Sequence, residues 1–153
     1  MRGAVSVSPP FPPPSPPPAD PRGKVVVFLH SGDYDRVHQG LSIAAAAVAS
    51  GRSAELYLFW WALERFVNDA LDEPDFGPER EAVADRLEAR RMPTCSELLA
   101  HVRATGRASV HACTGSLAAL GADPQRPLAG VDGWVGWSAI LQRTAGVVDR
   151  FYL

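Results

Sequence analysis

Lys24–Phe59 reads KVVVFLHSGDYDRVHQGLSIAAAAVASGRSAELYLF, and its hydrophobic period changes twice. Lys24–Leu29 is an unbroken apolar run rich in β-branched residues. That is the pattern of a strand buried on both faces inside a parallel sheet. His30-Ser31-Gly32-Asp33 is a turn. From Tyr34 the apolar positions Val37, Leu41, Ala44, Ala45 and Val48 recur at spacings of three and four, which predicts a helix closed by Gly51. Gly40 inside it weakens the helix slightly or permits close backbone packing. Ser53–Phe59 alternates and then turns apolar, a second strand. Strand, helix, strand is a βαβ unit, whose crossover is right-handed and whose sheet is parallel.

The rest of the chain repeats this alternation. Trp60–Leu71 reads as a helix, Asp72–Pro78 as a loop with two prolines and a glycine, and Glu79–Arg91 as a charged, solvated helix. After Pro93, Thr94-Cys95-Ser96-Glu97 has the form of a capping box, so a helix starts there and ends before Gly106. Ser109–Gly121, SVHACTGSLAALG, places a strand around Val110, Cys113 on a tight turn, and a helix from Thr114 that Gly121 closes. A short fourth strand around Trp134-Val135, a helix over Ser138–Ala145 and a fifth strand over Val147–Leu153 complete the pattern. Strands alternating with helices predict an α/β domain over residues 23–153.

Residues 1–22 contain PPFPPPSPPPADP, too proline-dense for helix or sheet, and read as a disordered or semi-rigid tail. The formal net charge of -2, with acids and bases mixed, gives no footprint for nucleic acid and no polybasic anchor for a membrane. No apolar run approaches the ~18 residues of a span. No secretory leader is visible. The chain's two cysteines do not make a disulfide framework, and a reducing, cytoplasmic setting is expected. No Ser-His-Asp order or carboxylate pair points to a hydrolase, and no Gly-rich loop points to a nucleotide.

Cys113 is the leading candidate. A thiol at a helix start meets unpaired N–H groups that favour the thiolate, the reactive form. The carboxyl edge of an open α/β sheet is also where ligands bind. The plain alternative is a small buried apolar residue. Cys95, also at a helix start, is expected on the same edge. There it resolves an oxidised Cys113 or receives its sulfur, unless it is an incidental small residue. His30 follows the first strand and can hold an anion or tune the thiolate. Ser31, Gly32 and Asp33 can offer backbone N–H groups to an anion, as can Thr114 and Gly115, although Asp33 can equally cap the helix. His38 is one turn into the first helix and is expected to face the same cleft. His111 shares a strand side with Cys113 and reads as a packed core histidine. No spacing supports a zinc site from His30, His111 and Cys113, so no metal is expected. Trp60, Trp61, Trp134 and Trp137 line a cleft or a subunit interface, and core packing is expected to explain at least two of them.

Three features taken together resemble the DsrE/DsrF-like family of sulfur-relay proteins: the first strand with its Ser-Gly-Asp loop and helix, the strand end VHACTGSLAALG, and the late VxGW–helix–VVDRFYL segment. The resemblance spans Lys24 to Leu153, with a longer helical insertion between strands two and three. It implies a flavodoxin-like (DsrE-like) three-layer α/β/α sandwich on five mostly parallel strands, assembled into trimers or hexamers, with no cofactor. It also implies that the cysteine ending strand three, here Cys113, takes sulfane sulfur as a persulfide from a donor protein and passes it to an acceptor. Two other readings stay open: a small-anion or ligand-binding module without turnover, and a redox protein using Cys113 and Cys95.

Overall fold

In the computed structural model, which describes residues 23–153, the doubly buried run is a strand flanked on both sides. The tail expected over residues 1–22 lies outside the described residues. β1 (Lys24–Leu29) pairs in parallel with β2 (Ser53–Leu58) and β5 (Asp149–Tyr152). β2 pairs with β3 (Ala108–Cys113), and β3 with β4 (Gly133–Val135). Every pairing is parallel and the order is β4-β3-β2-β1-β5. The fold is thus the five-stranded α/β arrangement that the alternating pattern predicts.

Crossover handedness decides where the helices go. From β1 to β4 the chain steps in one direction, so α1 (Tyr34–Ala49), α2 (Trp60–Val67), α4 (Cys95–Ala104) and α5 (Thr114–Ala119) pack on one face. The step from β4 to β5 runs back across the sheet. It puts α6 (Trp137–Thr144) on the opposite face. Strand side chains alternate accordingly. Val25, Val27, Leu29, Leu56, Leu58 and Val110 join the four-helix side, whereas Val26, Phe28, Tyr57, Phe59 and Cys113 join Ile140 of α6. Gly40 is where α1 meets β1, since a Cβ there would lie 2.5 Å from Leu29 Cδ2. Its conformational penalty therefore permits a close helix–sheet approach.

Several boundaries differ from the sequence expectation. The helix from Trp60 stops at Val67 rather than Leu71, because Arg65 gathers the carbonyls that follow: it donates to Ala70 O at 2.9 Å and to Glu73 O at 2.7 Å. The segment from Glu79 opens as a 3-10 turn, Pro78–Arg80, with proline at its start, and continues as α3 (Glu81–Ala89). None of the α3 residues is buried. The last strand begins at Asp149 because Val147 N–H is turned back to Thr144 O at 3.2 Å, and Val148 is 90% exposed. α6 starts one residue early, at Trp137. The capping box forms as read: Glu97 N–H donates to Thr94 Oγ1 at 3.2 Å, and Thr94 N–H to the Glu97 carboxylate at 2.8 Å. Among the described residues no helix is long and apolar enough to cross a membrane.

Candidate functional site: a cleft at the carboxyl edge of the sheet

β3 hands over to a helix on one face and β4 to a helix on the other. Adjacent strands whose helices diverge leave a crevice at their carboxyl ends. Cys113, last in β3 and N-cap of α5, stands there. A cleft of about 630 Å³ opens at this edge, a size suited to a small ligand. Cys113 is 6% exposed and faces it beside Thr114 and Gly115. His30, exposed at the end of β1, lies on its rim.

The cleft carries aromatic rings from three strands and a helix. Phe28 stacks on Tyr152 with centroids 4.7 Å apart and planes 5° from parallel. Phe28 lies 6.2 Å from Phe59, at 27°, and Phe59 stacks on Trp137 at 5.0 Å and 20°. Phe28 and Phe59 are buried, whereas Trp137 and Tyr152 are 54% and 67% exposed. The sequence reading did not name Phe28, Phe59 or Tyr152. The signal was available: β1, β2 and β5 each end on or near an aromatic residue, and parallel pairing aligns strand ends.

Cys95 lies elsewhere. α4 feeds β3 and so starts at the carboxyl edge, as expected, but on the four-helix face. There Cys95 is fully buried in the larger core cluster. Burial pushes its thiol up to about 12, against a smaller lowering by the Tyr34 hydroxyl beside it. The sheet separates the two thiols, and both are free.

The Ser31–Asp33 turn faces a second cavity, of about 420 Å³, together with Arg65 and Asp75. Two of its backbone donors are already engaged: Ser31 N–H donates to Leu153 O at 3.1 Å, beside His30 N–H at 2.7 Å, and Asp33 N–H donates to Ser31 Oγ at 3.1 Å. Gly32 has a steric reason, because a Cβ there would sit 2.8 Å from Trp61 O and 2.9 Å from Trp61 Cβ. Asp33 holds the N-cap position of α1 without a side-chain cap bond. The Asp75 carboxylate instead accepts from Tyr34 N–H at 2.9 Å and pairs with Arg65 at 2.7 Å. Arg65 also donates to Gly32 O. This arginine ties the loop after α2 to the turn after β1, and the sequence reading missed it.

His38 Nε2 bonds to Pro93 O at 2.9 Å, away from the cleft. His111 is fully buried, as a core histidine should be. Arg143, which can only donate, lies 3.0 Å from His111 Nε2, so that nitrogen accepts and the proton sits on Nδ1, which has no partner. Burial first, and then the Arg143 charge, lower its pKa to about 4. Nearby, Glu55 accepts from Tyr57 at 2.7 Å and from Lys24 at 3.0 Å, so the α6 face has a polar interior next to its aromatic end.

Of the tryptophans, Trp134 alone packs partly against the core, bonding to Pro124 O at 3.1 Å; core packing therefore explains one rather than two. Trp60 and Trp137 line the cleft, and Trp61 is 51% exposed. Trp60 has a left-handed backbone, φ +41°, which costs a bulky residue about 1–3 kcal/mol. The strain lies where the chain leaves β2 and turns into α2 beside the cleft.

No protein-family model matches the sequence, and no curated protein is significantly similar to it. Solved structures do match the fold. The ychN protein from E. coli aligns with a TM-score of 0.56 at 17% identity, covering 85% of this chain and 99% of that one. MTH1491 of Methanobacterium thermoautotrophicum, a protein of unknown function, aligns with a TM-score of 0.51 at 18% identity, covering 85% and 98%. At these identities the likeness concerns the fold, which is the DsrE-like α/β arrangement that the sequence resemblance implied.

Proposed function

We propose that this protein carries sulfane sulfur on Cys113. The supporting observation is placement: a free thiol at the crevice between diverging crossovers, on an open cleft whose lining, among the described residues, has no side-chain carboxylate to repel a thiolate. In the reaction the Cys113 thiolate attacks the terminal sulfur of a donor persulfide. The donor S–S bond breaks, the donor leaves as a thiolate, and Cys113 holds the persulfide until an acceptor thiolate attacks the outer sulfur in turn. No net oxidant is consumed. His30, on the rim, is placed to pair with the anionic sulfur. The chain acts in this reading as a cytoplasmic homo-oligomer that meets donor and acceptor proteins. Self-association is supported by Leu141, Val148 and Phe151, exposed apolar side chains outside the cleft, and by β5 as a short edge strand among the described residues.

The redox alternative finds no support in the sheet that separates Cys95 from Cys113. The anion-binding alternative is weakened on one side, because Ser31 N–H and Asp33 N–H are already bonded, to Leu153 O and Ser31 Oγ, and the turn faces another cavity. Thr114 and Gly115 remain in the cleft as partners for a substrate anion. The test is intact mass after incubation with a sulfane-sulfur donor. A gain of one sulfur in the wild type and in Cys95→Ala, absent in Cys113→Ser, is the expected result. A gain that survives Cys113→Ser overturns the reading.

A further inference from the structure

Resting on the reading of Cys113 as a sulfur acceptor, we infer that the cleft admits flat aromatic sulfur compounds, and that its small-molecule donor is an aryl persulfide. Four rings, Tyr152, Phe28, Phe59 and Trp137, form a run of near-parallel planes along the cleft that ends beside the thiol. The inner two are buried and the outer two are left half in water. Tyr152 and Trp137 lie at opposite ends of the run and stay half in water, so a planar guest that stacks on Trp137, at the end beside the thiol, gains ring contact while removing apolar surface from water. The volume, about 630 Å³, is that of a small-molecule site. Among the described residues no carboxylate, lysine or arginine side chain lines it, so away from His30 on the rim the selection is by shape and stacking.

The chemistry favours the same class. The Cys113 thiolate takes the outer sulfur of Ar–S–SH, the S–S bond breaks, and the bonding pair leaves with the aryl thiolate. Aryl thiols are more acidic than alkyl thiols, and the more acidic thiol leaves faster. The ring that stacks is therefore also the better leaving group.

The experiment uses the full chain and two probes of one reaction, S-phenyl benzenethiosulfonate and methyl methanethiosulfonate. In each the thiolate attacks the divalent sulfur, a sulfinate leaves, and a mixed disulfide forms. The thiol proton passes to solvent. Peptide mass mapping assigns the adduct. The readout is the aryl-to-alkyl rate ratio at Cys113, divided by the same ratio for glutathione. A normalised ratio of roughly ten is expected, falling towards one in Trp137→Ala/Tyr152→Ala, whose folding is checked by its melting curve. A ratio of one in the wild type, with Cys113 reactive to both probes, overturns this inference and leaves sulfur carriage standing. Failure of both probes at Cys113 overturns the carriage reading as well. A ratio that rises from one only on dilution to monomer means that a second copy covers the rings, which also overturns the inference.

Discussion

Cys95 and Cys113 hold equivalent places in the chain, each at the start of a helix on the carboxyl edge, and opposite places in the protein. Cys95 lies under the face that four helices cover. Cys113 lies on the face that α6 alone covers, where the rings and the thiol meet an opening. A helix start is thus common ground between a core position and a candidate site. Which face of the sheet receives the crossover separates them.

Native labelling is the most severe test of that contrast. With its pKa near 12, Cys95 should react with iodoacetamide at pH 7.5 roughly a thousandfold more slowly than free cysteine, while Cys113 labels readily. Peptide mapping of the wild type measures both. Equal rates would mean that the four-helix face opens as easily as the other. The second test is packing. Leu56→Ala, under the four helices, should destabilise by about 2–5 kcal/mol in urea unfolding, and Trp137→Ala, on the open side, by less than about 1 kcal/mol. Similar losses would erase the distinction between the faces.

Titration gives two smaller contrasts. Above the ordinary thiol pKa the unfolded chain releases the Cys95 proton while the folded chain keeps it. Stability should therefore fall as pH rises from about 9 to about 12, with a Cys95 contribution of about 2–3 kcal/mol by pH 10.5. Urea midpoints for Cys95→Ala should show a flatter decline. Some decline remains, because burial also raises Tyr34, to about 12, and Tyr57. On the α6 face the sign reverses with His111. Below pH 6.5 the unfolded state takes a proton that the folded state refuses until about pH 4, so stability falls with falling pH, by about 1–2 kcal/mol at pH 5. His111→Gln should remove that part of the acid loss, and an unchanged acid limb would contradict the enclosed neutral imidazole.

The fold was largely legible because it rests on local signals: the KVVVFL run, the helical spacing after Tyr34, the capping box at Thr94 and the glycines at helix ends. Cys113 was legible because a strand end followed by a helix start is also local. Three things were not. Which face holds Cys95 depends on the direction in which each crossover steps through the sheet, and strand order is not written in any one segment. The ring run depends on cross-strand register. Gly32 and Arg65 act across the gap between β1 and α2, so a turn that reads as an anion loop is a packing joint.

Trp60 carries a different lesson, about how this protein can change. Its side chain walls the cleft, and its backbone occupies a conformation that glycine adopts freely. Backbone strain and cleft shape therefore favour different residues at one position. Glycine there would relieve the strain, but it would remove a partly buried indole and part of the binding wall with it. Variation selected for the cleft must keep the strained tryptophan and find its stability elsewhere, most readily on the exposed surface of α3, which touches neither.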